Sequence, residues 1–342
     1  MDFGIIKDIS VDTVLKDLQI TKSTYNRWRD LKKIPQSYEL PLNKLLGYEI
    51  DYSLLSIKQK DQFFTPEHLV DLCYEIFTKF VLKNKIRISE YIFIEPSAGS
   101  GSFLKVLPRD KTIAIDIEPR DDAVLKSDYL DWHPKEIADK YIVFGNPPFG
   151  LRGNTALKFI NHSYIFADYV CFILPPLFES DGRGTPKNRV NNGYILVHSE
   201  KLPLSFYNTP ENKNIPINTI FQVWTKNRGI PEIKIENRIN NDSIKIFSLS
   251  DGGSSATTRN KKMLYSCDVY LPSTCYGKDK MKVYDSFEEL PNRRGYGICL
   301  KDKNIVEKIL KIDWCSVCVS STNSSLNLKK SDIYNKINEI KP

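Results

Sequence analysis

Four segments of the chain combine residue types suited to chemistry on a ligand. The most specific is Gly145-Asn146-Pro147-Pro148-Phe149-Gly150. Two consecutive prolines donate no backbone hydrogen bond, so the segment cannot continue a strand ladder and is held rigid. It would present the Asn146 amide and the Pro147 carbonyl outward, as two acceptors side by side. That pair matches an exocyclic NH2 group, and Phe149 adds a ring for stacking on a base. The competing reading is a structural turn.

The second segment is Glu95-Pro-Ser-Ala-Gly-Ser-Gly-Ser-Phe-Leu104. Gly99 and Gly101 let the backbone turn tightly and approach a ligand. A bare GxG is weak, but this one follows a short apolar strand, and ligands bind at the carboxyl ends of parallel strands. The third glycine of a dinucleotide fingerprint is missing, since position 104 is Leu. Asp116 follows the next strand and can accept hydrogen bonds from both hydroxyls of a ribose. In Ser127-Asp128-Tyr129, Asp128 is placed to reach an adenine edge, with an ordinary turn as the alternative.

The elements that position these segments alternate. A helix is expected from Pro66 to Lys79, with Leu69, Leu72, Cys73, Ile76 and Phe77 on one side. Tyr91–Ile94, Thr112–Ile115, Tyr141–Phe144 and Tyr169–Leu174 read as strands. Apolar strands alternating with helices predict an α/β fold with a parallel sheet covered on both faces. Beyond it, Ile217–Trp224 and Ile233–Phe247 look like strands. Residues 51–62 are a polar connection, and the Gly/Ser-rich stretch 251–262 reads as a mobile loop.

Residues 11–35 predict two short helices with a tight turn, a helix-turn-helix pattern. Val11, Val14, Leu15 and Leu18 carry the first; Thr21 is the expected N-cap of the second, and Pro35 stops it. Tyr25, Trp28 and Leu31 would face inward. The candidate nucleic-acid contacts are Lys22, Tyr25, Arg27, Arg29, Lys32 and Lys33, with only Asp30 against the cations. A solvated basic face is the bland alternative.

The chain has 342 residues, 41% hydrophobic and 27% charged, enough apolar material to exclude a mainly disordered chain. No apolar run is long enough to span a membrane, and the N-terminus lacks a secretory layout, so a soluble, cytoplasmic protein is expected. Seven scattered cysteines, with Cys315-Ser-Val-Cys318 as a lone CxxC, suggest reduced thiols and no metal site. Ser316–Ser320 reads as strand. The net charge of +7 is uneven. Residues 61–180 carry 13 basic and 17 acidic groups, −4, whereas residues 1–60, 181–300 and 301–342 carry +2, +6 and +3. An acidic block between basic flanks suits a cationic ligand beside a polyanion.

Together the segments resemble the class I S-adenosylmethionine-dependent amino-methyltransferases, specifically the N6-adenine type with an Asn-Pro-Pro-Phe signature. Phe64-Thr65-Pro66 resembles that family's first cofactor motif. Glu95 to Gly101, including Ser97, Ala98 and Gly99, resembles the methionine-binding loop, with Glu where the family often has Asp. Asp116 and Ile117 match the ribose and adenine contacts, Asp128 and Tyr129 the cofactor adenine contacts, and Asn146 to Phe149 the catalytic tetrapeptide; Asn146 also counts among the cofactor neighbours. The motif order is that of the gamma arrangement, and the likeness covers roughly residues 60–225.

The resemblance implies a Rossmann-like methyltransferase core over 60–230; the helix-turn-helix pattern makes 1–50 a candidate nucleic-acid-binding module, and 231–342, which the likeness does not reach, is expected as an α+β extension with target recognition as its candidate role. It implies S-adenosylmethionine as cofactor and a flipped-out adenine of double-stranded DNA as substrate, in a restriction-modification setting with a cognate restriction endonuclease. Phe206, in Leu202–Tyr207, is the candidate second stacking ring. RNA adenine, a protein glutamine amide, and a non-catalytic DNA-binding regulator are the competing readings.

Overall fold

The computed structural model describes the whole chain except residues 19, 49, 51–54, 56–60, 137–139, 181–184, 212–213, 236–242, 250–265, 277–280, 289, 291–293, 321–324 and 341–342. The expected mobile loop at 251–262 and most of the polar connection 51–62 therefore lie outside the described residues. The remainder forms two compact units, Met1–Asn214 with Thr219–Lys234, and Ile215–Asn218 with Ile235–Pro342.

The first unit is built on a seven-stranded α/β sheet. Its strands are β1 (Tyr91–Glu95), β2 (Thr112–Asp116), β3 (Leu125–Lys126), β4 (Lys140–Gly145), β5 (Tyr169–Leu174), β6 (Ile195–Lys201) and, after the separate strand β7 (Ser205–Asn208), β8 (Ile220–Thr225). The spatial order is β3-β2-β1-β4-β5-β8-β6. The first five pair in parallel, but β5–β8 and β8–β6 are antiparallel, so the sheet is mixed rather than wholly parallel. The expected strand at Ile217–Trp224 begins only at Ile220. The chain returns to β8 through β6 without a crossover helix, which is what an antiparallel neighbour permits.

β5 and β8 are buried along their full length, as centre strands covered on both faces require. The helix before the sheet, Glu67–Lys83, turns Leu69, Val70, Cys73, Ile76, Phe77 and Phe80 inward. Phe77 lies edge-on to Phe93 of β1 and Phe144 of β4, at 6.0 and 5.3 Å between centroids. Edge-to-face rings add about 0.5–1.5 kcal/mol beyond area burial, and this trio fixes β1 beside β4. Because strand order reverses there, the ends of β1 and β4 form a topological switch point, where ligands bind open α/β sheets.

The N-terminal segment folds onto its own small core of Ile6, Val14, Leu18, Tyr25, Trp28, Ile34, Tyr38 and Leu42. Helix α1 (Val11–Asp17) is capped by Ser10 and α2 (Lys22–Asp30) by Thr21, each cap accepting a backbone N–H three residues on. Helix α3 (Glu39–Leu45) completes the group. Leu31, expected inside, is 62% exposed, because α2 ends at Asp30 and the chain turns through a left-handed Lys32.

The second unit is α+β. A three-stranded antiparallel sheet (Ile244–Leu249, Gly295–Leu300, Val269–Pro272) and the helix Lys330–Glu339 share a core that includes Trp314, Ile333 and Ile337. The strand expected over Ile233–Phe247 appears from Ile244, and 236–242 lie outside the described residues. Ser316–Ser320 is not one strand: Trp314–Val317 is helical and strand resumes at Val319. Burial, with Cys315 and Cys275 nearby, pushes the Cys318 thiol up to about 12. Among the described residues no helix is long and apolar enough to cross a membrane, and no group of three or more His, Cys, Asp or Glu is placed so that it could hold a metal ion.

Candidate active site

The segments singled out by type and spacing converge at the carboxyl ends of β1, β2 and β4. Glu95 ends β1, Asp116 ends β2 and Asn146 directly follows β4. Parallel pairing places these ends side by side, and hydrogen bonds tie the loops together. Ser97 donates from Oγ to the Asn146 carbonyl at 3.0 Å. Gly99 N–H donates to Asp116 Oδ2 at 2.7 Å, and Glu118 N–H to Asp116 Oδ1 at 2.8 Å.

Gly99 has φ +53° and Gly101 φ +74°, a region that favours glycine. A Cβ at Gly99 would stand 3.3 Å from the Phe64 ring, so Phe64 lies directly against the glycine loop. Ala98 is buried, and its N–H donates to the Ile115 carbonyl of β2. No α-helix follows this loop; the chain makes a 3-10 turn at Phe103–Lys105. A pyrophosphate would therefore lack the helix N-terminus that dinucleotide folds provide, which favours a ligand of a different kind.

Two buried polar atoms here have no hydrogen-bond partner: Glu95 Oε2 and Asn146 Oδ1. Glu95 is 1% exposed, and burial, reinforced by Asp116, holds its carboxyl well above the usual carboxylate range despite a hydrogen bond from the Phe103 backbone. The Asn146 Nδ2 group donates to Thr65 Oγ1 at 3.1 Å and points to the Phe63 carbonyl at 3.4 Å. A carbonyl can only accept, so the atom facing Phe63 must be the NH2, and the amide oxygen is thereby turned to the free side. An unsatisfied buried acceptor costs about 1–3 kcal/mol. A fold that keeps two of them on adjacent strand ends has a site shaped for a ligand that donates.

Pro66 caps the 67–83 helix (α4), and Thr65 is buried beside Asn146. Pro147 is buried, Pro148 and Ile117 half-buried. Phe149 is only 8% exposed, less open than a stacking ring should be. Its carbonyl accepts from Thr155 and Ala156 at the start of α5 (Asn154–Ser163), which draws the segment down. Phe206 is 57% exposed on β7, whose Asn208 carbonyl accepts from the Phe64 N–H at 2.8 Å, so β7 runs beside the first motif.

Two expected contacts are not brought to the site. Tyr129 is buried among Trp132, Phe159, His162 and Phe166, with its hydroxyl 2.8 Å from Ser163 Oγ. An aromatic after a surface turn residue found the core instead of the ligand. Tyr25 is likewise core, edge-on to Phe3, and is no surface contact. Asp128 accepts from the Leu130 N–H and pairs with Lys44 Nζ of α3 at 3.0 Å, an engagement sequence did not foresee. Lys22, Arg27, Arg29, Lys32 and Lys33 are all exposed, and an open hollow runs along α2 past Lys22, Ser23, Asn26, Arg27, Asp30 and Leu31.

Sequence reasoning missed Asp61 and Phe63. Asp61 sits in a polar stretch with nothing to mark it, yet its carboxylate accepts the Gly150 N–H at 2.8 Å and interacts with the Phe149 N–H. The doublet Phe63-Phe64 before Thr65 was the available signal.

No family model matches the chain and no curated protein matches it. Solved structures match at low identity. A type IIL restriction-modification enzyme, MmeI, in complex with DNA aligns with TM-score 0.45 and 9% identity over 89% of this chain and 73% of that one. The M protein of the type I restriction enzyme EcoKI gives 0.37 and 14% over 67% and 62%. The 23S rRNA methyltransferase ErmE gives 0.33 and 13% over 60% and 78%. All these scores lie below 0.5, and the functional reading rests on the chain's own geometry.

Proposed function

We propose that this chain is an S-adenosylmethionine-dependent methyltransferase acting on the N6 amine of adenine in DNA. The observation that carries the reading is the buried, unpartnered Asn146 Oδ1 beside two consecutive prolines at the end of β4.

The residues fit the cofactor. Glu95 Oε2, buried and unpaired, suits an ammonium group. The glycine loop, closed by Phe64 and stitched to Asp116, suits an amino acid joined to a ribose. When bound, S-adenosylmethionine supplies an electrophilic methyl group on a sulfonium, so no enzyme nucleophile is required.

The chain's task is the acceptor. The adenine N6 lone pair is delocalised into the ring and is a poor nucleophile. Asn146 Oδ1 and the Pro147 carbonyl would accept its two hydrogens and favour a tetrahedral nitrogen with a localised lone pair. Because Thr65 and Phe63 fix the amide beforehand, that acceptor needs no reorganisation as the reaction proceeds. A base stacked in a duplex cannot reach buried acceptors, so the adenine must be flipped out. Phe206 offers an exposed ring to receive it. The cations of α2 would hold the phosphates.

The test is transfer of labelled methyl to duplex DNA, single-stranded DNA, RNA and protein in parallel, followed by nucleoside and amino-acid analysis. N6-methyl-2′-deoxyadenosine from DNA is the expected product. Label confined to RNA or to glutamine would replace the substrate, and a functional output preserved in Asn146→Ala would replace the enzyme with a sensor.

A further inference from the structure

We propose that Asp61 is a positioning residue: its carboxylate pins the far end of the Asn146–Phe149 segment, so that one short loop, Asp61–Thr65, clamps the catalytic tetrapeptide at both ends. The inference rests on the reading above and deepens it.

The front of the clamp is Thr65 Oγ1 and the Phe63 carbonyl on the Asn146 amide. The back is Asp61, whose Oδ2 accepts the Gly150 N–H at 2.8 Å and whose carboxylate also meets the Phe149 N–H. The two prolines between these points carry no N–H, so the middle of the segment has none to anchor it. Anchors must therefore come from outside: Ser97 and the N–H groups of Thr155 and Ala156 hold the Asn146 and Phe149 carbonyls, while the Asn146 amide and the N–H groups at the far end are held by the same five residues.

Backbone geometry supports a built device. Asp61 takes φ +56°, uncommon for a residue with a side chain, and Gly150 takes φ +68°. A Cβ at Gly150 would meet Thr155 Oγ1 at 2.0 Å, so the return into α5 accepts only glycine. Strained conformations persist where the surroundings over-determine them, and they cluster at active sites. Asp61 is also desolvated, which raises its carboxyl above the usual range although both N–H groups act in the opposite direction. Placing a carboxyl there is costly unless the hydrogen bonds matter. Since Phe64, between the two clamp points, lies on the glycine loop, the clamp also links the proposed cofactor loop to the acceptor.

The test compares wild type with Asp61→Ala and Asp61→Asn in the full chain. Three readouts are hydrogen exchange of the 145–152 backbone, affinity for S-adenosylmethionine by direct titration, and single-turnover methyl transfer to duplex DNA. Asp61→Ala should speed exchange at Phe149 and Gly150 and slow transfer by about 100-fold, the effect of an ångström-scale misplacement, with cofactor affinity unchanged. Asp61→Asn keeps an acceptor oxygen and should restore most of both. Wild-type exchange and rate in Asp61→Ala, or no rescue by Asp61→Asn, would overturn the proposal. If Asp61→Ala does not fold, Asp61→Glu carries the same test, because the added methylene displaces the carboxylate; wild-type behaviour there overturns it equally. If wild type methylates no adenine, the functional reading fails, while the exchange comparison still decides whether the clamp exists.

Discussion

The strand-end site and the outer face of α2 are both polar, but in opposite ways. At the strand ends a few groups are buried and two of their atoms lack partners. On α2 the charges are numerous, exposed and fully solvated, and the ion pair Arg29–Asp30 at 3.2 Å is open to water. Exposed pairs contribute about 0–1 kcal/mol, so nothing on α2 is costly to keep. A buried orphan is costly, and its persistence points to a ligand that supplies what is missing. The difference separates a site with unmet acceptors from a solvated basic face, which under the proposed function would do the chemistry and attract phosphates respectively.

The largest effect expected from breaking this comparison is at Asn146. Asn146→Ala should lower methyl transfer by about 100- to 1,000-fold, the scale of losing one preorganised group that meets the transition state, and leave cofactor binding in place. Rapid-quench transfer and equilibrium titration check the two halves. Glu95→Gln should come next, weakening S-adenosylmethionine by roughly 10- to 100-fold, the worth of a hydrogen bond to a charged group.

Glu95 also carries a pH signature. Its folded-state carboxyl lies well above the ordinary value of 4.5. The folded chain therefore holds a proton that the unfolded chain has lost, and stability falls as pH rises from that ordinary value through the raised one. A cationic ligand beside Glu95 favours the ionised form, so cofactor binding at pH values between the ordinary and the raised one should release protons. Calorimetric titration in buffers of different ionisation enthalpy should show that release in wild type and lose it in Glu95→Gln. A buffer-independent enthalpy in wild type would contradict an ammonium at Glu95.

Sequence made the strand-end site legible because its residues are constrained locally. A glycine pair, a double proline and a carboxylate after an apolar run each have few structural uses, and each stands at the carboxyl end of its own strand. What escaped was set by distance in the fold. Asp61 lies 89 positions before Gly150, and nothing in its neighbours announces a carboxylate aimed at that N–H. Tyr129 and Tyr25 were misplaced because an aromatic beside polar residues suits a ligand contact and a core equally. Only the neighbours, Phe159 and Phe166 for one and Phe3 and Trp28 for the other, decide between them. The antiparallel part of the sheet was hidden for a related reason: β8 is buried throughout, Gln222 and Thr225 included, and a fully buried strand reads the same in either direction.

The smallest expected effects lie on α2, and they test whether its charges act as the exposed half of the comparison demands. A surface that attracts phosphates releases counterions, so log affinity falls linearly with log salt, by about 0.9 for each phosphate neutralised in duplex DNA. Lys22→Ala should therefore flatten the slope by up to about 1 and weaken binding similarly on every duplex sequence. Tyr25→Phe should change neither slope nor affinity, because the ring stays edge-on to Phe3 inside the module. The two measurements use the same anisotropy titration over a salt series. An unchanged slope in the lysine variant would reduce α2 to a solvated face and move the phosphate contacts elsewhere. A slope altered by Tyr25→Phe would mean that the buried and exposed sides of this helix are not separable, and the contrast with the strand-end site would lose its simplest form.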